Sequence, residues 1–315
     1  RFDAVSNLIY WKGNKEAGVN DGALEFMKRM NNHMKGYYPG VMLIAEDSSD
    51  FNGVTKAPDI GGLGFDYKWD LGWMNDTLKY MKLDPVYRQG DHNLLTFSMA
   101  YFYSENFILP FSHDEVVHSK GTIIDKIWGN NEQKFAQLKT LYTYMMIHPG
   151  KKLNFMGNEL GEYKEWDEKV ALGWNILKYP IHDSFHKFMI RLNEVYKTYP
   201  CMYEQDYGMD GFEWLVVDDR AQSVFAIERK GTDGSSLIAV MNFTGNKHEG
   251  YMVPVNQPGS YKEILNSDTD IYTGSNFVNK RAIKAKEGQT LNKEYYIPVN
   301  IAPFGSMIFE YKGSK

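Results

Sequence analysis

The chain has 315 residues, of which 43% are hydrophobic and 24% are charged, and its formal net charge is −5. This length suits two domains, or one large α/β body with an appendage. Because the charge is acidic and no basic block is present, we expect no nucleic acid partner. The single cysteine, Cys201, excludes an intrachain disulfide and is typical of a reducing compartment, so we expect a cytoplasmic protein. No apolar run is long enough to cross a membrane.

The first elements are a strand end, a helix and a strand. Residues 21–35 place apolar side chains at helical spacing, with Asp21 as the expected N-cap and Gly36 as the expected end. The apolar run VMLIA at 41–45 then predicts a short buried strand.

The middle of the chain continues this alternation. A loop rich in Gly and Pro covers 51–64, and a short strand at 65–69 and a helix at 71–81 are predicted after it. Residues 92–104 predict a buried helix, and the run at 106–112 predicts another buried strand.

Alternation of strand and helix ends near residue 200. A long helix is predicted over 131–147, a strand over 151–157 and an amphipathic helix over 182–199. Strands and helices that alternate in this way indicate parallel βα units.

From about Cys201 the sequence changes to short alternating runs separated by turn residues, and no long helix is predicted. The dipeptide Asp233-Gly234 lies between two of these runs and is a strong hairpin signal. Residues 201–315 therefore predict a separate antiparallel β-domain, most simply a sandwich.

Three acidic residues each follow a short apolar run. Asp3 follows Arg1-Phe2, Glu46 follows VMLIA, and Asp114 follows NFILPFSH. In an α/β barrel the C-terminal ends of several strands contribute to one active site. Three carboxylates at such positions suit acetal chemistry, with one to attack, one to donate a proton and one to hold the substrate.

The segments RFDAV, LIAEDSSDF and FSHDEVVH resemble three of the four sequence regions of the α-amylase clan of glycoside hydrolases. Longer stretches, such as KWDLGWMNDTLKYMKLDPVYRQ and PGKKLNFMGNELGEYKEW, resemble the 1,4-α-glucan branching enzymes of the bacterial glycogen pathway. This resemblance covers essentially the whole chain. It implies strands 4–8 of a TIM (β/α)8 barrel over residues 1–200, followed by the C-terminal all-β domain over 201–315.

The resemblance also implies residue roles. Asp3 would be the nucleophile, Glu46 the general acid/base, and Asp114 the third carboxylate, which holds sugar hydroxyls. Arg1 would keep Asp3 ionised, and His113 would hydrogen-bond the sugar at the cleavage site. The implied reaction is a retaining transfer, for which the two carboxyls lie about 5 to 5.5 Å apart.

The implied partners are α-1,4-glucan or glycogen chains, bound by a monomer that needs no cofactor and no metal. Because HDEVVH places its histidines five residues apart in a strand-to-loop segment, it does not match the zinc-binding His-Glu-x-x-His helix. Trp69 is either a sugar-stacking platform or a packing residue. Glu159 is expected to cap or orient its loop, and Cys201 is not expected to be a nucleophile.

Two other functions remain open on sequence grounds. The same residues would serve a hydrolase of α-1,4 or α-1,6 bonds, and a non-catalytic glucan-binding fragment is a third possibility. The chain opens on Arg1 without an initiator methionine, and the clan's first sequence region is not found. A fragment that lacks the first three barrel strands, and is by itself inactive and prone to aggregate, is therefore the expectation.

Overall fold

The computed structural model describes residues 1–313, which form two compact units. Unit 1 consists of Arg1–Asp76, Phe97–Pro110 and Gly150–Leu153. Unit 2 consists of Thr77–Thr96, Phe111–Pro149 and the chain from Asn154 onward. In the described residues no helix is long and apolar enough to span a bilayer.

Five α-helices and thirteen strands are assigned in the described residues, joined by short 3₁₀ turns. The helices are α1 (Ser6–Ile9), α2 (Asp21–Tyr37), α3 (Leu71–Lys82), α4 (Asn131–Ile147) and α5 (Pro180–Thr198). The first four strands are β1 (Ile44–Ala45), β2 (Tyr67–Trp69), β3 (Phe107–Phe111) and β4 (Lys151–Asn154). The remaining strands are β5 (Phe212–Asp219), β6 (Val224–Lys230), β7 (Ser236–Asn242), β8 (His248–Val255), β9 (Ser260–Asn266), β10 (Ile283–Lys284), β11 (Lys286–Thr290), β12 (Lys293–Ile301) and β13 (Ser306–Tyr311).

The first sheet has the order β1-β2-β3-β4, so neighbours in the chain are neighbours in the sheet. Strand β1 pairs in parallel with β2, and β2 pairs in parallel with β3. Ahead of β1, Phe2 makes an isolated parallel bridge to Ala45, which places the chain start beside β1. This confirms the predicted parallel arrangement, although each strand is shorter than its apolar run.

Two helices show how local sequence sets their ends. Helix α4 begins at a capping box, in which Asn130 and Gln133 exchange side-chain and backbone hydrogen bonds. The predicted N-cap of α2 was wrong by one residue. Asn20 Oδ1 accepts from Ala23 N at 3.2 Å, so Asp21 is the first helical residue, and the helix passes through Gly36 to Tyr37.

The predicted helix over 92–104 was also wrong. The segment forms three separate 3₁₀ turns, His92–Leu95, Phe97–Ala100 and Phe102–Ser104. Bulky aromatic residues are poor helix formers, and tertiary contacts decide the outcome. In unit 2, a ring nitrogen of His92 lies 2.9 Å from Val217 O, and the His92 ring stacks on that of Phe225. These long-range contacts hold the start of the segment in a non-helical conformation.

The connection from β1 to β2 contains one 3₁₀ turn and no α-helix. It is held instead by Glu105, whose carboxylate accepts from the backbone amides of Gly53, Val54 and Thr55 at 2.6 to 2.9 Å. At Gly62 an added Cβ would lie 2.1 Å from Lys56 O, so only glycine permits this close turn.

The C-terminal part is a β-sandwich, as predicted. One sheet has six strands in the order β10-β9-β13-β7-β6-β5, and the other has three in the order β11-β12-β8. Their facing side chains form one core in which most members are fully buried, such as Ala226, Val240, Val253 and Val299. The hairpin at Gly234, where φ is +81°, joins β6 to β7. Within unit 2, α4 packs against β7 and β13.

Candidate active site

Asp3 and Glu46 are brought together by the pairing of the chain start with β1. Phe2 N donates to Ile44 O and Glu46 N donates to Phe2 O, at 2.8 and 2.9 Å. Both acidic residues therefore leave the sheet at the same edge. One nitrogen, Nη2 of Arg1, donates to Asp3 Oδ1 at 2.7 Å and also to Glu46 Oε2. A single guanidinium thus holds the two carboxylates side by side.

The two carboxylates differ in environment. The side chain of Asp3 is 77% exposed, whereas that of Glu46 is 19% exposed. Burial raises the pKa of Glu46, a hydrogen bond with Asp3 raises it further, and the charge of Arg1 opposes both effects. A carboxyl group with a raised pKa is suited to donate a proton, whereas the exposed carboxylate beside a cation is suited to attack.

Trp69 supports this cluster. Its side chain is 3% exposed, and the guanidinium of Arg1 lies over its ring, 4.4 Å from the centroid. A cation over an indole face is a favourable contact that fixes the direction of Arg1. Stacking of a sugar on the same face would require Arg1 to move, so in this arrangement Trp69 acts on the site through Arg1.

His113 and Asp114 lie in unit 2, in the first turn after β3. Ser112 begins this turn with a capping box, in which Ser112 Oγ accepts from Asp114 N and Glu115 accepts from Ser112 N. The His113 Nε2 and Asp114 Oδ1 atoms are 3.4 Å apart, and both side chains are partly exposed. The turn therefore presents the imidazole and the carboxylate as neighbours.

Two aromatic residues beside His113 were not singled out in the sequence. The ring of Phe155 is 5.8 Å from that of His113, and the ring of Trp166 is 5.1 Å from that of Phe155. Trp166 N donates to Val116 O at 3.0 Å, which ties its loop to the turn that carries His113. The position of Phe155, at the end of β4, was the signal that could have identified it.

Asp70 was also missed, although it follows β2 as Glu46 follows β1. It caps α3 through a 2.8 Å bond from Trp73 N, and its side chain is buried. Burial raises the pKa of Asp70 to about 6. The rule that identified Asp3, Glu46 and Asp114, an acid just after an apolar run, would have identified this residue too.

Glu159 and Cys201 have contacts that suit structural roles. Glu159 Oε2 accepts from Gly157 N at 2.9 Å within its own loop. Cys201 is buried, and burial raises the pKa of its thiol to about 11, which disfavours the thiolate. Among residues 1–313 no group of three His, Cys, Asp or Glu side chains is arranged to hold a metal ion.

Comparison with known proteins shows what this chain is similar to. The model of the α-amylase C-terminal all-β domain matches residues 214–312. The 1,4-alpha-glucan branching enzyme GlgB of Geobacillus stearothermophilus is 44% identical over 309 residues, which are 98% of this chain and 48% of that enzyme. Along almost its whole length the chain is therefore similar to the 1,4-α-glucan branching enzymes. The GlgB enzyme of Halothermothrix orenii is likewise 44% identical, over 98% of this chain and 51% of its own length. The chain spans about half the length of the curated branching enzymes that it matches.

Solved structures show the same fold. The α-amylase from Geobacillus thermoleovorans has a TM-score of 0.60 at 11% identity, over 93% of this chain and 58% of its own. AmyP in complex with maltose has a TM-score of 0.62 at 12% identity, over 93% of this chain and 62% of its own. Together with the two kinds of sheet, these neighbours confirm the predicted fold class, a partial barrel followed by a β-sandwich.

Proposed function

We propose that this chain carries the catalytic carboxylates of a 1,4-α-glucan branching enzyme that acts in glycogen biosynthesis. Asp3 attacks the anomeric carbon of an α-1,4-glucan, and Glu46 protonates the departing O4. Glu46 then removes the proton of a C6 hydroxyl on an acceptor chain, whose oxygen displaces Asp3 and forms an α-1,6 branch. Two displacements at one carbon retain its configuration. The observation that carries this proposal is the shared contact of Arg1 Nη2 with Asp3 and Glu46.

The remaining roles follow from the same proposal. Asp114 and His113 hold hydroxyls of the reacting sugar, and Arg1 keeps Asp3 anionic while Trp69 fixes Arg1. Support comes from the 44% identity along 98% of this chain. The proposed setting is the cytoplasm, and the proposed form is a monomer that binds glucan chains, with residues 1–200 as barrel and 201–315 as a separate domain.

The test is an amylose assay with three readouts. Branching lowers iodine absorbance, forms α-1,6 linkages detectable by proton NMR, and adds few reducing ends. The chain is assayed by itself and joined to the segment of the Geobacillus enzyme that it does not match. Formation of α-1,6 linkages by either preparation supports the proposal. A rise of reducing ends in step with the loss of iodine colour would show a hydrolase instead, and binding of glycogen without turnover in both would show a non-catalytic glucan binder.

Substitutions then assign the residues in the active preparation. Asp3→Asn and Glu46→Gln should each lower turnover by about 10²-fold or more, since each removes a group that acts on the reacting atoms. The matched controls are Asp59→Asn and Glu25→Gln, which change exposed residues of the same unit. Retention of turnover by either active-site variant would contradict the assignment.

A further inference from the structure

A loop of unit 2 closes around the side chain of one lysine. Lys126 ends the 3₁₀ turn Ile124–Lys126 and is 8% exposed. Its Nζ atom donates to four main-chain oxygens at 2.5 to 3.3 Å, those of Glu115, Lys120, Gly121 and Thr122. An ammonium group has three hydrogens, so the four oxygens share them. We name residues 115–122 the carbonyl loop.

The backbone of the carbonyl loop is costly to maintain without such a partner. His118 and Ser119 have φ of +57° and +63°, in the left-handed region that residues other than glycine rarely adopt, and Gly121 has φ of +76°. Strained conformations of this kind persist only where the surrounding contacts impose them. Main-chain oxygens that converge on one point are the ligands with which proteins bind hard metal ions. The ammonium of Lys126 therefore serves as an internal cation for this loop.

The carbonyl loop is also held through its amides. Glu165 Oε1 accepts from Gly121 N at 2.7 Å, and Glu165 Oε2 accepts from Ser119 N at 3.0 Å. The lysine thus binds the oxygens of the loop, and the glutamate binds its N–H groups. Hydrogen bonds in which one partner is charged are the stronger class, so the two side chains together fix the conformation of the loop.

The carbonyl loop is continuous with the turn that carries His113 and Asp114. Glu115 belongs to both, since its main-chain oxygen accepts from Lys126 at 2.5 Å and its carboxylate accepts from Ser112 N at 2.6 Å. Ser112 Oγ in turn accepts from Asp114 N at 3.1 Å. A displacement of Glu115 would therefore disturb the hydrogen bonds that close the turn around Asp114.

We propose that Lys126 is a positioning residue, whose ammonium holds the carbonyl loop so that His113 and Asp114 keep the place in which they bind the reacting sugar. The hold of Lys126 on the loop follows from the contacts alone. Its importance for the reaction rests on the proposed function, in which His113 and Asp114 hold sugar hydroxyls.

The first experiment separates turnover from binding in the active preparation. Lys126→Met removes the charge and the donors but keeps a side chain of similar length. It should lower kcat per folded molecule at least about tenfold, because small displacements of groups that hold the substrate are costly in rate. The KM for amylose should change by less than about threefold, since the loss falls on the reacting sugar and the transition state.

Two matched variants accompany Lys126→Met. Lys126→Arg keeps a cation with several N–H donors and should stay within about threefold of the parent kcat. Lys187→Met changes a lysine on α5 whose side chain is 60% exposed, and it should leave both constants unchanged. A kcat of Lys126→Arg as low as that of Lys126→Met would contradict the role of the charged donor.

The second experiment restores the missing cation. Lys126→Ala removes three carbons and the ammonium, which are the atoms that n-propylammonium supplies. This ion should raise the kcat of Lys126→Ala at least about fivefold, since it returns charged donors to the four oxygens. Neither 1-propanol, which lacks the charge, nor tetramethylammonium, which lacks N–H donors, should do so at equal concentration and ionic strength.

The third experiment needs no turnover. Amide hydrogen exchange of the full chain is followed by mass spectrometry, and residues 112–122 should exchange at least about tenfold faster in Lys126→Met than in the parent. Residues 182–198 of α5 should exchange at the parent rate in both. If Lys126→Ala folds only with an additive, recovery of its circular dichroism by n-propylammonium and not by 1-propanol is the expected result.

Each contrary result bears on a stated part of the proposal. Parent-like exchange of residues 112–122 in Lys126→Met would overturn the hold on the loop, and faster exchange with an unchanged kcat would overturn the positioning role. Equal recovery with 1-propanol would show that Lys126 acts only by filling space. If no preparation forms α-1,6 linkages, the positioning role fails together with the proposed function, and the exchange rates still decide whether Lys126 holds the loop.

Discussion

At the scale of single residues, one cation organises the candidate site. Arg1 contacts Asp3 and Glu46 through one nitrogen and lies over Trp69. The same charge lies beside Asp3, the proposed nucleophile, and opposes the rise of the Glu46 pKa that burial causes. Arg1 therefore partly offsets the effect of burial on the Glu46 carboxyl.

Replacement of Arg1 tests how its charge affects the Glu46 pKa and the activity. Arg1→Gln removes the one charge that lowers the Glu46 pKa, so the alkaline limb of the pH–rate profile should move to higher pH. Maximal turnover should fall, because Asp3 loses the positive charge that lies beside it. The measurement is branching rate against pH in the active preparation. Arg29→Gln, which affects an exposed pair with Glu25 on α2, is the control, and an alkaline limb that stays in place would contradict the role of Arg1.

Asp70 gives a prediction about stability. Its pKa of about 6 in the folded chain lies above its ordinary 3.8, mainly because of burial. The folded state therefore binds the proton more tightly, and this stabilising contribution is complete below about pH 4 and lost as pH rises through about 6. Asp70→Asn, which carries no charge, should gain stability relative to the parent by on the order of 2 kcal/mol between about pH 4 and pH 8.

Urea denaturation of the parent and of Asp70→Asn at several pH values measures this difference. Asp59→Asn, at an exposed position, should show no such trend. A gap that narrows as pH rises would mean that the folded state prefers the Asp70 carboxylate.

At the scale of secondary structure, a buried arginine on the sandwich bonds both an acidic residue and the end of helix α4 within unit 2. Arg229 on β6 bonds Asp206 Oδ1 at 2.9 Å, and both side chains are essentially inaccessible to solvent. The guanidinium also donates to Gly211 O at 3.0 Å and to Ile147 O, at the end of α4, at 3.2 Å. These bonds satisfy charges that burial would otherwise penalise.

Arg229→Met should lower the free energy of unfolding by about 3 to 5 kcal/mol, since it removes the buried cation that pairs with the buried Asp206 carboxylate. The double variant Arg229→Met/Asp206→Leu should recover part of the loss. Arg220→Met is the matched control, because the Arg220–Asp218 pair is exposed and contributes about 0 to 1 kcal/mol. Chemical denaturation measures the free energy of unfolding of each variant. Equal losses of that free energy in Arg229→Met and Arg220→Met would show that burial of the ion pair does not determine its contribution to stability.

At the scale of the whole molecule, the chain is built from a parallel sheet that delivers carboxylates and a β-sandwich with its own core. All three proposed catalytic carboxylates precede residue 200, and the α-amylase C-terminal domain model covers 214–312. The sandwich therefore carries none of the three proposed catalytic carboxylates.

Charge changes on the sandwich surface should leave turnover per folded molecule unchanged. Lys247→Gln and Glu249→Gln alter an exposed ion pair and are the suitable variants. Turnover is normalised to folded protein, measured by circular dichroism. A loss of turnover at constant folded protein would show that the sandwich takes part in the reaction.

The sequence by itself determined most of the helices and strands, the parallel and antiparallel halves and the proposed carboxylates Asp3, Glu46 and Asp114. The elements can be inferred from local hydrophobic periodicity, and the carboxylates from motifs that resemble those of a known family. Only the tertiary structure decided that 92–104 forms separate turns and that Trp69 is covered by Arg1. It also revealed the buried Asp70 beside a cavity. These features depend on contacts between residues far apart in the chain, and no local pattern specifies which side chain will lie against which.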